Sequence, residues 1–398
     1  MMKKWIWQQP DWPHFTWTKR TLDSAAQQFA EGFKDQNVVL LRAGEEDLHS
    51  LRIEWLTNEA SKTSAIEGEI LDRDSIQASL LRRFGLRRSA RRHGAAEEGI
   101  AEMMVSLYRD FAQPLDHETL GKWHIMLMSA NPYIENIGGY RRHEDPMQVV
   151  SGPYGRETVH FEAPPAVRVS SEMDRFMDWF NRKTEIAAPA AALEAAAVAH
   201  LYFECIHPFE DGNGRIGRAV AEKALARMLG RPTLLPLSAE ICRQKKGYYA
   251  ALNQANRSLD ITEWLGWFAQ IAIQAQAYGK QSLICVLAQA RVFDRLQGQL
   301  NARQEKALLR LFEAEPEGFE GGMSAKNYQA ITGTSESSAT RDLTALAGWG
   351  VLHKTGERRH TRYSLVLPDL GSLLDSLKAP TPPASVEGDA ANLRMYAP

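Results

Sequence analysis

The stretch His207-Pro208-Phe209-Glu210-Asp211-Gly212-Asn213-Gly214-Arg215-Ile216-Gly217-Arg218 decides how the rest of the chain is read. Upstream, residues 190–206 are rich in Ala, Leu and Glu and read as a helix. Downstream, residues 215–229 read as a second helix, stopped by Gly230 and Pro232. Asp211 to Gly214 is then a tight turn between two helices. Gly212 and Gly214 allow backbone angles that other residues resist, and their bare N–H groups can approach an anion closely. The following helix points its positive end at the same spot. Arg215 and Arg218 add guanidinium forks suited to phosphate oxygens. Asp211 offers the hard oxygen that a nucleotide-bound Mg²⁺ takes from a protein. His207 can carry a proton near neutral pH. Other phosphate loops are absent: the chain has no G-x-x-x-x-G-K-[ST], and no G-x-G-x-x-G between a strand and a helix.

This string resembles the signature of the Fic family, H-P-F-x-[DE]-G-N-G-R-x-x-R, with every fixed position matched. The resemblance implies a mainly α fold, a helical core that transfers AMP from ATP to a hydroxyl side chain of a target protein. Carried over by position, His207 would be the base on the target hydroxyl and Asp211 the Mg²⁺ ligand. Asn213 and the amides of Gly212 and Gly214 would hold the α- and β-phosphates. Arg215 would brace the phosphates and Arg218 would take the γ-phosphate. Glu210 and Gly217 fall within the same nucleotide-binding string, and Phe209 reads as a packing anchor.

A second resemblance lies upstream. Leu48, Leu51, Ile53, Trp55 and Leu56 recur near helical spacing and predict a helix over about 46–68, running out near Gly68. Thr63-Ser-Ala-Ile-Glu67-Gly68 resembles the Fic inhibitory motif, [ST]-x-x-x-E-[GN]. In that family the glutamate pairs with the last arginine of the signature, here Arg218. A carboxylate there would occupy the guanidinium meant for the γ-phosphate and leave the α-phosphorus badly aimed. A displacement of about 1 Å at a reacting centre costs on the order of 10²-fold in rate.

At 398 residues the chain is too long for one ordinary core, so several domains are expected. The net charge of −2 rules out a general polyanion binder and leaves only local basic surfaces. Cys205, Cys242 and Cys285 are far apart and in no C-x-x-C pattern. Neither a disulfide framework nor a zinc site is expected, and a cytoplasmic location fits. The N-terminus lacks the apolar core of a signal peptide, and no stretch approaches a membrane span.

The boundaries follow from composition. Residues 1–95 form an N-terminal module opening with Trp5, Trp7, Trp12, Phe15 and Trp17. Aromatics this dense are expected to pack against the body of the protein. The stretch resembles the short N-terminal module of one branch of bacterial Fic proteins. Arg82, Arg83, Arg87, Arg88, Arg91 and Arg92 read as a solvated face. Residues 96–275 form the catalytic core, with helix expected over 95–135 and again over 166–205. Between these, Gln148-Val149-Val150-Ser151 and Thr158-Val-His-Phe161 flank a Gly/Pro turn and predict a β-hairpin. In the Fic family this hairpin is a flap that holds the target segment by strand addition. Tyr248, Tyr249 and Asn256 have the spacing of the Fic adenosine pocket, although packing alone would also account for the tyrosines.

A connecting helix is expected over 276–300. Residues 301–367 read as three helices and a basic hairpin and resemble a winged helix-turn-helix. Ser337, Ser338, Thr340 and Arg341, with Arg358, Arg359 and Arg362 on the wing, suit DNA contacts; protein interaction is the open alternative. Residues 368–398 have the composition of a disordered tail. The expected partners are therefore a hydroxyl-bearing target protein, a second copy by family resemblance, and either DNA or protein at the C-terminal domain. Two rival functions remain open from sequence. The same fold can remove AMP or move phosphate, and a winged-helix regulator could use it to sense nucleotide.

Overall fold

The computed structural model describes residues 5–42, 44–86, 94–153, 156–185, 188–233, 235–315, 318–369 and 371–372. The described chain is mainly helical, with two small antiparallel hairpins. It divides into two compact units. One is built from residues up to Asp35 and from Arg52 to Gln276; the other from Gln36–Leu51 and from Ala277 onward. Of the expected basic run, Arg87, Arg88, Arg91 and Arg92 lie outside the described residues, as does the expected tail beyond residue 372.

The N-terminal residues lead into α1 (Asp23–Arg42) and α2 (Glu45–Ile66), each of which belongs in part to both units. The aromatic opening packs as expected: Ile6 and Trp12 are buried, and Trp5, Trp7, Phe15 and Trp17 pack against the same core. The Trp12 indole donates to Glu172 at 2.9 Å. Helix α3 (Arg73–Arg83) starts at Asp72, whose side chain accepts from the Ser75 N–H at 2.8 Å. Its last-turn arginines are not a bare solvated face, since Arg82 pairs with Glu98 and Arg83 reaches Glu102 at 2.8 Å.

The helix expected over 95–135 is two: α4 (Ala95–Arg109) and α5 (His117–Met128). Pro114 lies between them, and Asp116 restarts the helix by accepting from the Thr119 N–H. The hairpin follows as β1 (Gln148–Ser151) and β2 (Thr158–Glu162), with a bulge between Val149 and Val150. Then come α6 (Ala166–Lys183), α7 (Pro189–Ile206) and α8 (Asn213–Leu229). Alanines let α7 and α8 pack closely, with Phe203, Phe209 and Val220 fully buried between them and their neighbours. Helices α9 (Leu237–Arg243) and α10 (Lys245–Ala255) complete the wall.

Helix α11 runs unbroken from Thr262 to Arg295. The expected connecting helix is therefore the second half of one that begins with Trp264 and Phe268 in the first unit's core. The second unit continues as α12 (Ala302–Glu313), α13 (Ala325–Thr332), α14 (Glu336–Gly348), β3 (Leu352–Thr355) and β4 (Arg362–Leu365). Each of these helices begins at a side-chain cap, from Asn301, Ser324 and Ser335. Its core gathers Leu308, Leu311, Tyr328, Leu343, Leu346 and Tyr363. Arg341, Arg358 and Arg359 are exposed on its surface.

Candidate active site

Helix α7 ends at His207, which adopts a left-handed conformation (φ 50°, ψ 61°) as the C-cap. Arg141 fixes that corner. Its backbone N–H donates to Pro208 O at 2.9 Å, and its Nε donates to His207 O at 2.8 Å. Asn213 closes the turn from the other side. Its Oδ1 accepts from the Phe209 N–H at 2.9 Å and its Nδ2 donates to Phe209 O at 2.8 Å. The Asn213 amide thus braces the loop itself. Gly212 takes φ 79°, and α8 begins at the next residue. The His207 ring, Asp211 and the start of α8 consequently meet on one cavity.

That cavity has a volume of about 560 Å³, within the range that small-molecule ligands fill. His207, Glu210, Asp211, Gly212, Asn213 and Gly214 line it, as do Val149, Val150 and Ser151 of the hairpin. Tyr248, Tyr249 and Asn256 line the wall formed by α10. Their side chains are already engaged. The Tyr248 hydroxyl is 2.9 Å from His200 Nε2, Tyr249 donates to Ile66 O at 3.2 Å, and Asn256 Oδ1 accepts from the Cys205 thiol. Gln148 is outside the lining and donates to Glu162 at 2.8 Å. Gly217 is also outside it, and a Cβ there would sit 2.4 Å from Glu204 Oε1, so this glycine makes room for a buried carboxyl.

Two carboxylates on the turn after α2 reach the two arginines of α8. Arg218 NH2 donates to Glu67 Oε1 at 2.7 Å and to Thr63 O at 2.9 Å, while its Nε donates to the Thr63 hydroxyl at 2.7 Å. Gly68 follows with φ 91°, and the reversal brings Glu69 Oε2 within 2.5 Å of Arg215 NH1. Both arginines are almost fully buried. A Cβ at Gly214 would lie 2.2 Å from Glu67 Oε1, so only glycine admits the carboxylate this deep. Burial pushes the Glu67 pKa up, but Arg218 and then Arg215 and Lys245 outweigh it, and the net shift is downward. Glu67 is therefore ionised at neutral pH. Burial and the charge of Arg141 press His207 down to about 4, against weaker upward pulls from the Glu204 main chain, Glu67 and Asp211. Its imidazole is neutral, as a base must be.

Among the described residues no three His, Cys, Asp or Glu side chains cluster as a metal cage. A nucleotide-borne Mg²⁺ asks for less, one or two carboxylates beside phosphate oxygens. Asp211, half-exposed at the cavity, fits that need.

Residues 114–225 match the family model described as "Fic/DOC family", and residues 5–86 match "Domain of unknown function (DUF4172)". The chain carries a Fic/DOC domain. That domain ends inside α8 and includes the whole turn from His207 to Arg218. The chain is 33% identical over 114 residues to the protein adenylyltransferase Fic of Nematostella vectensis, covering 28% of this chain and 25% of that one. It is 32% identical over 130 residues to the protein adenylyltransferase Fic of Drosophila willistoni, covering 32% of this chain and 24% of that one. It thus spans about a quarter of the length of the curated relatives it matches. Among solved structures, a Fic family protein from Desulfovibrio desulfuricans G20 aligns over 89% of this chain and 98% of its own, at 20% identity and TM-score 0.49. A Fic domain containing signaling protein from Bacteroides thetaiotaomicron aligns over 64% and 95%, at 20% identity and TM-score 0.46.

Sequence reasoning missed several residues at the Fic/DOC site. Glu204 and Asn253 line the cavity, and Arg141 and Glu69 hold its parts in place; His160 and Phe161, which also line it, belong to the second run of the expected hairpin. Glu204 carried one readable signal, its position one helical turn before His207. Glu69 carried none, because its use depends on the reversal at Gly68. Among the described residues no helix is long and apolar enough to cross a membrane.

Proposed function

We propose that this chain is a protein adenylyltransferase that moves AMP from ATP to a Ser, Thr or Tyr hydroxyl of a target protein. One observation carries the reading: a neutral His207 imidazole on a nucleotide-sized cavity that the start of α8 also lines. The adenylyltransferase relatives support it. The target oxygen attacks the α-phosphorus, His207 takes the hydroxyl proton, and the bond to pyrophosphate breaks. The N–H groups of Gly214 and its neighbours at the start of α8 favour the phosphate charge. Mg²⁺ held by Asp211 would spread charge over the phosphate oxygens. The hairpin's Val149, Val150 and Ser151 offer the edge on which a target segment is laid.

The pairing of Glu67 with Arg218 supports a restrained resting state. Glu67 and Glu69 hold the guanidinium groups that a triphosphate tail would need, so nucleotide enters misaligned. The test uses ATP labelled at the α- or the γ-phosphorus, with wild type, Glu67→Gly and His207→Ala. Alpha label in protein, stronger with Glu67→Gly and absent with His207→Ala, supports the reading. Gamma label would replace it with phosphate transfer. Release of AMP from labelled protein by wild type would replace it with the reverse reaction.

A further inference from the structure

Glu204 has no part in the chemistry above, yet it is the carboxyl nearest the base. It lies one turn before His207 on α7, and its Oε2 is 3.8 Å from His207 Nδ1. Both side chains are nearly buried, at 11% and 14% exposure. Among the described residues, neither His207 Nδ1 nor Glu204 Oε1 has a hydrogen-bond partner. Each is a buried polar atom left unsatisfied, and a folded chain rarely tolerates one without a reason. The opposite helix has been cut back to permit this, since any Cβ at Gly217 would clash with Glu204 Oε1.

A base needs the lone pair on the ring nitrogen that faces substrate, so the other nitrogen must carry the proton and point it at an acceptor. Nδ1 faces Glu204. We propose that Glu204 is a positioning residue for His207: its carboxyl accepts from Nδ1–H as the base takes the target's proton, which fixes the tautomer and steadies the imidazolium formed. No covalent bond is made to Glu204. The target proton stays on the far ring nitrogen until the imidazolium releases it to solvent. The assignment rests on the proposed role of His207 as base.

The resting environment suits a contact that tightens only during turnover. Burial and then Glu67 raise the Glu204 carboxyl to about 8, against Arg218. Charge or titration also reaches the pair from Arg141 and Asp211, from Cys205 on α7 and from Tyr248 on α10. A nucleotide that displaces Glu67 from Arg218 removes the charge that, after burial, most opposes Glu204 ionisation; the proton Glu204 gives up then passes to solvent, just when an imidazolium needs a counter-charge.

The experiment has two arms. In the first, ¹⁵N NMR of His207 in the full chain compares wild type with Glu204→Gln and Glu204→Asp, using His207→Ala to assign the signal. Wild type is expected to hold its proton on Nδ1, with Glu204→Gln shifting the tautomer balance or the ring pKa and Glu204→Asp partly restoring it. In the second, alpha-label transfer is followed against pH in a Glu67→Gly background. Glu204→Gln is expected to lower kcat about 10- to 100-fold, less than the roughly 10⁴-fold cost of disabling the third member of a serine-protease triad, because the 3.8 Å contact is looser. ATP affinity should stay within about twofold and the acidic limb of the pH profile should move. Unchanged ¹⁵N signals in folded Glu204→Gln would overturn the proposal, since its main-chain carbonyl remains and would then suffice. A loss of ATP affinity equal to the loss of rate would also overturn it, by making Glu204 a nucleotide ligand. If no variant transfers alpha label, the reading of the enzyme fails, and the NMR arm still decides the contact.

Discussion

Glu204 and Asp342 are both carboxyls buried in helical packing, one in each compact unit, and they are treated in opposite ways. Asp342 is saturated. It accepts from Arg303 Nε at 2.9 Å, Tyr328 Oη at 3.0 Å and Asn301 Nδ2 at 3.2 Å. Burial raises its pKa, but Arg303, Tyr328 and Asn301 win and the net shift is down. Glu204 keeps an oxygen without a partner, and burial wins. The difference separates two uses of a buried acid. A fully satisfied network ties α12, α13 and α14 into one arrangement. An under-satisfied one sits on a cavity beside His207 and keeps hydrogen-bonding capacity unused.

Four substitutions or conditions would break or sharpen this contrast. The largest effect should come from Glu67→Gly, which frees Arg218 and should raise alpha-label transfer on the order of 10²-fold in a labelling time course. Equal transfer would mean that the site's charges are as static as those around Asp342.

The second concerns pH. In the first unit burial raises Glu59 to about 7 and Glu204 and Glu222 to about 8, from 4.5. Burial also lowers His124, His200 and His207 to about 4, from 6.5. Between about 4.5 and 6.5 the native carboxyls hold protons that the unfolded chain releases, while the unfolded histidines bind protons that the native ones refuse. The two sets oppose each other there. Above 6.5 the carboxyls dominate, since Lys223, lowered by burial to about 8 from 10.5, opposes them only near the top of this range; the native state holds the extra protons, and stability falls as pH rises toward 8. A loss on the order of 2 kcal/mol is expected in urea titrations at pH 6.5 and 8 that follow the first unit's tryptophans. Asp342, with its pKa depressed, adds no such slope there, so a probe in the second unit should stay flat.

Third, Asp342→Ala should destabilise the second unit by about 1.5–2 kcal/mol, chiefly through the lost bond from buried Tyr328, and leave the AMP-transfer rate unchanged. Thermal melts alongside the labelling assay would check both halves. The smallest effect is expected of Glu69→Gln in the Glu67→Gly background. The pair it breaks is part-exposed on the Glu69 side, at 43%, so the added gain in transfer should be at most about fivefold. A loss of activity instead would make Glu69 a brace for Arg215 and not a second restraint.

Much of the first unit could be read from local pattern. Ala-rich α7, the glycine turn and α8 follow from residues within a few positions of one another, as does the hairpin around its Gly/Pro turn. Helix α2 ends two residues short of the expected boundary, at Ile66, because Gly68 reverses the chain. What could not be read are contacts across long separations. Trp7 donates to Glu162 O, 155 residues away, and so ties the aromatic opening to the hairpin. Arg141 holds His207 across 66 residues. Helices α1 and α3 carry no motif and were left without assignment, since their partners lie elsewhere in the chain. Motif position does not say which way a side chain faces, so the loop-bracing bonds of Asn213 and the space that Gly217 leaves for Glu204 are legible only in the structure.

His207 occupies a left-handed backbone well that side chains other than glycine's enter at a cost of roughly 1 kcal/mol or more. Among the described residues only Arg358 shares that habit. If His207 is the base proposed above, glycine there would relax the corner and silence the chemistry in one stroke, and the fold's preference and the catalyst's need conflict at a single residue. Mutational drift under selection for robustness alone would be drawn toward an inert protein that folds better than its ancestor.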